Sequence, residues 1–157
     1  MKKNILFIFL SMAVLFSNAL ATEQNINFDK IAKNDKQIMV FFHMNNCGYC
    51  NRMDKQTLQD KYIKENIKKY FIFIDINIDD QKTILFKNKQ YDSKDFANSL
   101  DVNFFPTVVF LNDEDEISYK ARGFRSVEKF QQILNYMKTK SFENMSFFEY
   151  SEQKDKE

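Results

Sequence analysis

Cys47 and Cys50 are the only cysteines in the chain, and a glycine and a tyrosine separate them. An apolar run at 38–42 precedes the pair, and a polar segment compatible with a helix follows at 51–70. This order predicts a buried strand that ends shortly before Cys47 and a helix that begins close to it. Unpaired N–H groups at a helix start favour an anion, and in a C-x-x-C motif a thiol pKa falls from about 8.5 to roughly 3.5 to 7.5. We therefore expect Cys47 to be the exposed nucleophile, present as a thiolate.

Cys50 stands one helical turn after Cys47, so it can attack a mixed disulfide formed there and let the pair exchange a disulfide with a partner. The alternatives are a structural disulfide, half of a zinc site, or two inert thiols. So short a loop stabilises a fold little. A tetrahedral zinc site needs four ligands, whereas the chain adds one histidine, His43, to its two cysteines. The spacing therefore favours a redox-active pair without a metal or another cofactor.

Residues 1–21 have the pattern of a secretory signal peptide. Lys2 and Lys3 are followed by an apolar stretch at 5–16 and by Ala19-Leu20-Ala21, which has the small residues of a cleavage site at its first and third positions. The apolar stretch is too short for a helix to cross a bilayer about 30 Å thick, so a retained anchor is the weaker alternative. We therefore expect a periplasmic protein that is not inserted in the membrane after cleavage.

Composition narrows the function further. A small exported fold that is stabilised by disulfides usually carries four or more cysteines, so a single pair indicates catalysis. The formal net charge is +1, and no strong basic face is apparent in the sequence. Nucleic acid and anionic membrane are therefore not expected as partners.

Apolar periodicity predicts the order of the secondary-structure elements. The predicted strands cover residues 38–43, 71–78, 104–111 and 116–121, with a small hairpin inserted at 83–86 and 90–91. The predicted helices cover residues 28–34, 51–70, 93–100 with Ser93 as N-cap, and 126–137. One domain is expected at 22–140, followed by a tail at 141–157 that is partly docked or disordered.

One apparent metal motif is rejected. Asp75, Asn77 and Asp79 have the spacing that opens a calcium-binding loop. However, Asp80 stands where that loop requires glycine, and Phe86 stands where it requires glutamate. We therefore expect no calcium site.

The order strand, C-x-x-C helix, strand, helix, proline-initiated strand, hairpin and final helix resembles the thioredoxin fold over residues 28–137. That resemblance implies an α/β domain in which helices flank a central mixed sheet, with a small insertion before the half that contains Pro106. Four features are similar to those of exported thioredoxin-like oxidoreductases of the type associated with periplasmic sulfur oxidation. They are the C-G-Y-C motif, the insertion before Ser93, Phe105-Pro106-Thr107 and Arg122-Gly123-Phe124.

The resemblance implies roles for individual residues. Cys47 would be the nucleophile, Cys50 the resolving thiol, and Pro106 a cis-proline that faces the pair. The implied substrate groove is lined by Gly48, Tyr49, Phe105 and Pro106. The implied partners are periplasmic proteins with cysteine thiols or disulfides, together with a thiol electron donor in the inner membrane.

The sequence departs from cytosolic thioredoxin at three matched positions. Asn46 replaces a tryptophan, Tyr49 replaces a proline, and Phe41 replaces the buried acid six residues before the first cysteine. Glycine and tyrosine between the cysteines also resemble bacterial disulfide isomerases, but those carry a separate N-terminal dimerisation region. A monomeric reductase is therefore favoured over an isomerase, and a thioredoxin-fold binding module without turnover stays open.

Two residues are candidates for proton transfer. Asp75 shares a predicted strand face with Phe71 and Phe73, so it could lie buried beneath Cys50. It could then accept the proton of Cys50, a role that Phe41 cannot perform. The alternative is that Asp75 is a solvated or turn-capping residue. His43 could assist a thiol with its imidazole, or could simply pack at the strand end.

Overall fold

The computed structural model describes residues 25–154 and 156, so the predicted signal peptide at 1–21 lies outside the described residues. The strands are β1 (Ile26–Asn27), β2 (Gln37–His43), β3 (Phe71–Asn77), β4 (Ile84–Phe86), β5 (Lys89–Tyr91), β6 (Thr107–Leu111) and β7 (Ile117–Arg122). The α-helices are α1 (Gly48–Arg52), α2 (Lys61–Tyr70), α3 (Ser93–Ser99), α4 (Val127–Lys138) and α5 (Phe147–Lys154).

The central sheet has the strand order β3-β2-β6-β7. Strand β2 pairs with β3 in parallel, while β2 with β6 and β6 with β7 are antiparallel. In this register Phe41 lies opposite Asp75 on one side and opposite Val108 on the other. The predicted α/β fold with a central mixed sheet is confirmed.

Each face of the sheet carries its own apolar core, because side chains along a strand alternate between faces. Met39 and Phe41 project to the face covered by α2 and α4, where Ile63 and Phe130 are fully buried. The other face is covered by α3 and the inserted hairpin. Its buried residues include Ile38, Val40, Phe42, Ile76, Ile84 and Phe96.

The helical region predicted at 51–70 is two consecutive helices. Helix α1 begins earlier, at Gly48, and runs into a π-helical segment, Met53–Leu58. The chain then turns, and the Asp60 carboxylate caps α2 by accepting a hydrogen bond from the Ile63 N–H at 3.1 Å. Thr57 Oγ1 donates to the Arg125 carbonyl at 2.6 Å, which ties the π-helical segment to the loop before α4.

The predicted helix at 28–34 is wrong in extent. Only Phe28–Lys30 forms a single 3₁₀ turn, after the short strand β1. Asn34 and Asp35 have φ values of 45° and 63°, and such left-handed residues cannot continue a right-handed helix. Asn and Asp tolerate this conformation better than most residues, so the chain turns there towards β2.

The predicted hairpin in the insertion is confirmed as β4 and β5, which pair antiparallel. Its two turn residues, Lys87 and Asn88, have φ values of 51° and 59°. The Asp29 carboxylate accepts hydrogen bonds from both of their N–H groups, at 2.8 and 2.9 Å. This capping compensates for a turn composition without glycine, and β1 extends the hairpin by pairing in parallel with β4.

Two predicted boundaries are corrected. The N-cap of α3 is Asp92, whose carboxylate accepts from the Asp95 N–H at 2.7 Å, and Ser93 is instead the first helical residue. Both residue types cap helices well, so the sequence alone does not choose between them. The strand predicted at 104–111 begins at Thr107, because the preceding residues form the bend that contains Pro106.

The tail contains α5 and packs against α4. Tyr136 on α4 donates a hydrogen bond to the Met145 carbonyl at 2.7 Å and lies against the rings of Phe147 and Tyr150. Burial of its ring raises the pKa of Tyr136. The first half of the tail therefore contacts α4. Among residues 25–154 there is no helix long and apolar enough to cross a membrane.

Candidate active site

The two cysteines form a disulfide at the start of α1. The sulfur atoms are 2.02 Å apart, and the Cα atoms are 5.2 Å apart. Cys47 is the N-cap residue of α1, and its Sγ accepts a hydrogen bond from the Cys50 N–H at 3.1 Å. In the dithiol state the same N–H favours negative charge on Cys47, as an anion is favoured at any helix start.

Solvent reaches the two sulfurs unequally. Cys47 is partly exposed, whereas Cys50 is only 2% exposed. A protein disulfide can therefore approach Cys47 far more readily than Cys50. This asymmetry supports the roles of nucleophile for Cys47 and resolving thiol for Cys50.

The loop between β2 and α1 is held by polar residues from the end of β3. The Asn45 N–H donates to Asp79 Oδ2 at 2.8 Å, and Asn77 Nδ2 donates to Asn45 Oδ1 at 2.8 Å. Asn46 then has a φ of 55°, which turns the chain into Cys47. The sequence motif that resembled a calcium loop thus orders the active-site loop, a role that sequence reasoning missed.

The proline loop lies beside Cys47. The Phe105–Pro106 peptide bond is cis, as the resemblance implies, and the Phe105 carbonyl oxygen is 4.0 Å from Cys47 Sγ. The Gly123 N–H donates to the Pro106 carbonyl at 2.7 Å. Gly123 has a φ of 80°, so this glycine occupies a backbone conformation that other residues adopt with strain.

An exposed aromatic surface, formed by Tyr49 and Phe104, lies in the two segments next to the disulfide. Tyr49, between the cysteines, is 65% exposed, and Phe104, in the proline loop, is 66% exposed. A Cβ added at Gly48 would meet no atom within 4 Å, so the backbone there is open to solvent. Of the predicted groove residues, Gly48 and Tyr49 are thus exposed, Phe105 is half-buried, and Pro106 is buried.

Cys50 also lines a second opening in the surface. It is a pocket of about 160 Å³ lined by Phe41, His43, Cys50, Asn51, Asp54 and Asp75. His43 Nε2 and Asp75 Oδ1 are 2.8 Å apart, so the two candidates for proton transfer form a pair. In the structure, both residues therefore line the same pocket as Cys50.

The predicted burial of Asp75 is wrong, because its side chain is 49% exposed. β3 is an edge strand of the central sheet, and Phe73 and Asp75, on the same face of β3, are both exposed. The predicted strand face is confirmed, since Asp75 lies opposite Phe41 in the parallel register. Phe41 itself is 1% exposed and belongs to the core.

This arrangement can carry out thiol–disulfide exchange. One accessible sulfur sits at a helix start, and a second, buried sulfur is already bonded to it. The pair can accept or release two electrons as a disulfide and a dithiol. The pocket that Cys50 lines is also lined by the titratable groups His43, Asp54 and Asp75.

Comparison with known proteins agrees with the geometry. The structure is similar to a thioredoxin-fold protein from Helicobacter pylori, with a TM-score of 0.65 and 21% identity over 80% of this chain and 88% of that chain. It is also similar to a DsbH oxidoreductase, with a TM-score of 0.56 and 18% identity over 79% of this chain and 92% of that chain. A thioredoxin from Thermus thermophilus gives a TM-score of 0.54 and 22% identity over 66% and 75% of the respective chains.

A comparison with curated protein sequences finds no match. The solved structures share the fold at low sequence identity, whereas the family model for the thioredoxin-like domain matches residues 24–138 of the sequence directly. That match includes the disulfide, the cis-proline loop and every strand of the central sheet. The chain therefore belongs to the thioredoxin-like domain family.

Proposed function

We propose that this protein is an exported thiol:disulfide oxidoreductase that reduces disulfides in periplasmic proteins. The observation that carries the proposal is the disulfide at the start of α1, in which a partly exposed Cys47 is bonded to a buried Cys50 beside the cis-Pro106 loop. A purely structural disulfide has no need for one accessible cysteine beside the proline loop. For exchange with a second protein, one accessible sulfur and one protected sulfur are what the chemistry needs.

The reaction proceeds in two exchanges. The Cys47 thiolate attacks one sulfur of a substrate disulfide, and the other substrate sulfur leaves as a thiolate. A mixed disulfide now joins Cys47 to the substrate. Cys50 then loses its proton and attacks Cys47 Sγ, and the second substrate sulfur leaves with the electron pair. The substrate has gained two electrons, and its two thiolates take up one proton from Cys50 and one from solvent. The protein now holds the Cys47–Cys50 disulfide.

The exposed aromatic surface around the disulfide supports a polypeptide substrate. Tyr49 and Phe104 are each about two-thirds exposed and lie in the C-x-x-C segment and in the proline loop respectively. Rings exposed to this extent stabilise a bound chain through apolar contact. We infer that the substrates present a cysteine disulfide in an accessible, partly extended segment.

The cellular setting of the proposal comes from the sequence. The pattern at 1–21 is that of a secretory signal peptide, and the periplasm is a compartment in which cysteines become oxidised. A reductase there needs a source of electrons, so a thiol donor in the inner membrane is part of the proposal. Mass spectrometry of the protein from a periplasmic extract, showing an N-terminus at residue 22, would support export.

The activity is tested with the reduced protein and insulin or a small model disulfide. The wild-type dithiol should reduce the substrate and lose two thiols per disulfide cleaved. Cys50→Ser should stop at a mixed disulfide on Cys47, and Cys47→Ser should not react. If the wild-type protein and Cys50→Ser both leave the substrate disulfide intact, the proposal fails.

The direction of electron flow is tested by the reduction potential. A value near −270 mV is typical of a reductant, and a value near −120 mV is typical of an oxidant. Equilibration with a defined thiol–disulfide buffer, followed by alkylation and mass analysis, measures it. A value at the oxidising end would contradict the proposed reductase.

A further inference from the structure

The hydrogen bond between His43 and Asp75 lies in the wall of the pocket that Cys50 also lines. Cys50 is 2% exposed, so a proton that leaves its thiol must move through the groups or the water next to it. The pocket, at about 160 Å³, is large enough for water. The proposed exchange requires Cys50 to lose a proton, and this pocket is lined by groups able to accept one.

The chemistry of the pair determines which nitrogen of His43 is the base. An ionised carboxylate only accepts hydrogen bonds, so Nε2 of a neutral His43 carries the proton that is donated to Asp75 Oδ1. Nδ1 then holds the lone pair. The His43 ring also stacks on Phe41, with 5.2 Å between centroids and an angle of 20° between planes, which constrains the position of the ring. A base that is oriented by a carboxylate is a recurring arrangement for activating a nucleophile.

The competing groups in the pocket are few. Its titratable members besides Cys50 are His43, Asp54 and Asp75. Phe41 is apolar and 1% exposed, so the strand position before the cysteines carries no acid. Asp54 stands one helical turn after Cys50 and is the alternative acceptor, although its carboxylate is not part of the His43–Asp75 hydrogen bond.

We propose that the His43–Asp75 pair accepts the proton of Cys50 when Cys50 resolves the mixed disulfide. This inference rests on the proposed function, because it concerns the second exchange. The Cys50 thiol gives its proton to His43 Nδ1 through water in the pocket, and the sulfur forms a bond to Cys47 Sγ. The bond from Cys47 to the partner sulfur breaks, and the partner leaves as a thiolate. Asp75 stabilises the imidazolium, which then returns the proton to the leaving thiolate or to solvent.

The test uses a symmetrical aromatic disulfide whose released thiol absorbs visible light, so that no natural substrate is needed. In stopped flow, the attack by Cys47 releases the first thiol at a rate proportional to reagent concentration. Resolution by Cys50 releases the second thiol at a rate that does not depend on concentration. The two exchanges are thus measured separately in the same sample, and the first phase reports that each variant is folded and reactive.

His43→Gln and Asp75→Asn are the informative variants. Glutamine can still donate an amide hydrogen bond to Asp75 but cannot accept a proton, so it separates a structural role from a proton-accepting one. General-base catalysis is typically worth about 10² to 10⁴ in rate. Each variant should therefore slow the second phase at neutral pH by at least about tenfold and leave the first phase within about twofold of wild type. Asp113→Asn, on an exposed turn, is the matched control for the loss of a carboxylate.

The pH profile provides a readout that packing alone would not change. An imidazolium cannot accept a proton. The second phase of the wild-type protein should therefore slow as the pH is lowered, and His43→Gln should lose this pH dependence. His43 is the only histidine in the chain, so its NMR signals can be followed over the same pH series without assignment.

The outcomes decide between the candidates. If His43→Gln resolves at the wild-type rate with an unchanged pH profile, the pair is not the acceptor. If Asp54→Asn slows the second phase while the other two variants do not, Asp54 is the acceptor and the inference is wrong. If the pair acts as one unit, the double variant should be no slower than the slower single variant. A failure with protein substrates would instead count against the proposed function, because this assay does not use one.

Discussion

Reduction of the Cys47–Cys50 disulfide should lower the free energy of unfolding by a small, calculable amount. The disulfide closes a loop of four residues, and the chain-entropy relation for such a loop gives about 2 kcal/mol in favour of the oxidised form. In the reduced protein, a thiolate on Cys47 interacts with the start of α1, which is worth about 0.3 to 1 kcal/mol. The oxidised form should therefore be more stable by between about 1 and about 2 kcal/mol.

The sign of this difference bears on the direction of electron flow. If folding stabilises the disulfide more than it stabilises the dithiol, the folded protein holds its disulfide more tightly than the unfolded chain does. Its reduction potential is then lower, and its dithiol is the better reductant. About 1.4 kcal/mol corresponds to about 30 mV for a two-electron couple, so the expected difference lowers the potential by a few tens of millivolts.

Urea unfolding with and without a thiol reductant measures this difference. The transition midpoint should move to lower urea on reduction, while the dependence of the unfolding free energy on urea stays constant. Cys50→Ser is the control, because a chain that cannot form the disulfide should unfold at the same midpoint in both buffers. If the reduced wild-type protein is the more stable form, the reasoning is wrong and the protein is poised as an oxidant.

Three further predictions concern single residues. Limited iodoacetamide on the reduced protein should label Cys47 before its buried partner, and peptide mapping that finds the reverse order would exchange their roles. Gly48→Ala should stabilise the fold by about 0.4 to 1 kcal/mol, because the added methyl group meets no atom. Gly123→Ala should instead destabilise the fold by about 1 to 2 kcal/mol, because residue 123 has a φ of 80°. Urea midpoints equal to that of the wild type would contradict both expectations. A hydrogen bond from Lys120 holds the pKa of Asp101 below its ordinary value of 3.8, so the carboxylate contributes stability above pH 3.8 that is lost as the pH falls through the lowered pKa. Lys120→Met should return that pKa towards 3.8, and a carboxyl NMR titration that does not move would show that another group is responsible.

Much of the central sheet could be predicted because its signals are local. Continuous or alternating apolar residues locate β2 and β3 to within one residue at each end. The inserted hairpin was predictable from two short apolar runs, but its turn was not. Lys87 and Asn88 adopt left-handed conformations because Asp29, almost sixty residues earlier, accepts their N–H groups. No local pattern records such a long-range partner.

The errors have a common physical origin. In the segment 28–34 the helical spacing of apolar residues is present, but the chain must turn at Asn34 to enter β2, so only one 3₁₀ turn forms. At α3, Asp92 and Ser93 have nearly equal capping preferences; Asp92 is the cap, and Ser93 is fully buried in the first turn. In both cases the local alternatives have similar free energies, and tertiary contacts determine which of them forms.

The site shows that β3 can bring a carboxylate to the pocket beside Cys50, although β2 carries an apolar residue at the facing position. Residues opposite one another in a parallel pair lie on the same face of a sheet, and Phe41 is opposite Asp75. A carboxylate absent from β2 can therefore be supplied from β3 to the same pocket beside Cys50. Because β3 is an edge strand, the Asp75 side chain is half exposed, and it forms a hydrogen bond with His43. A fully buried acid would have no contact with solvent. In the proposed second exchange, the imidazole accepts the proton and the carboxylate orients the imidazole.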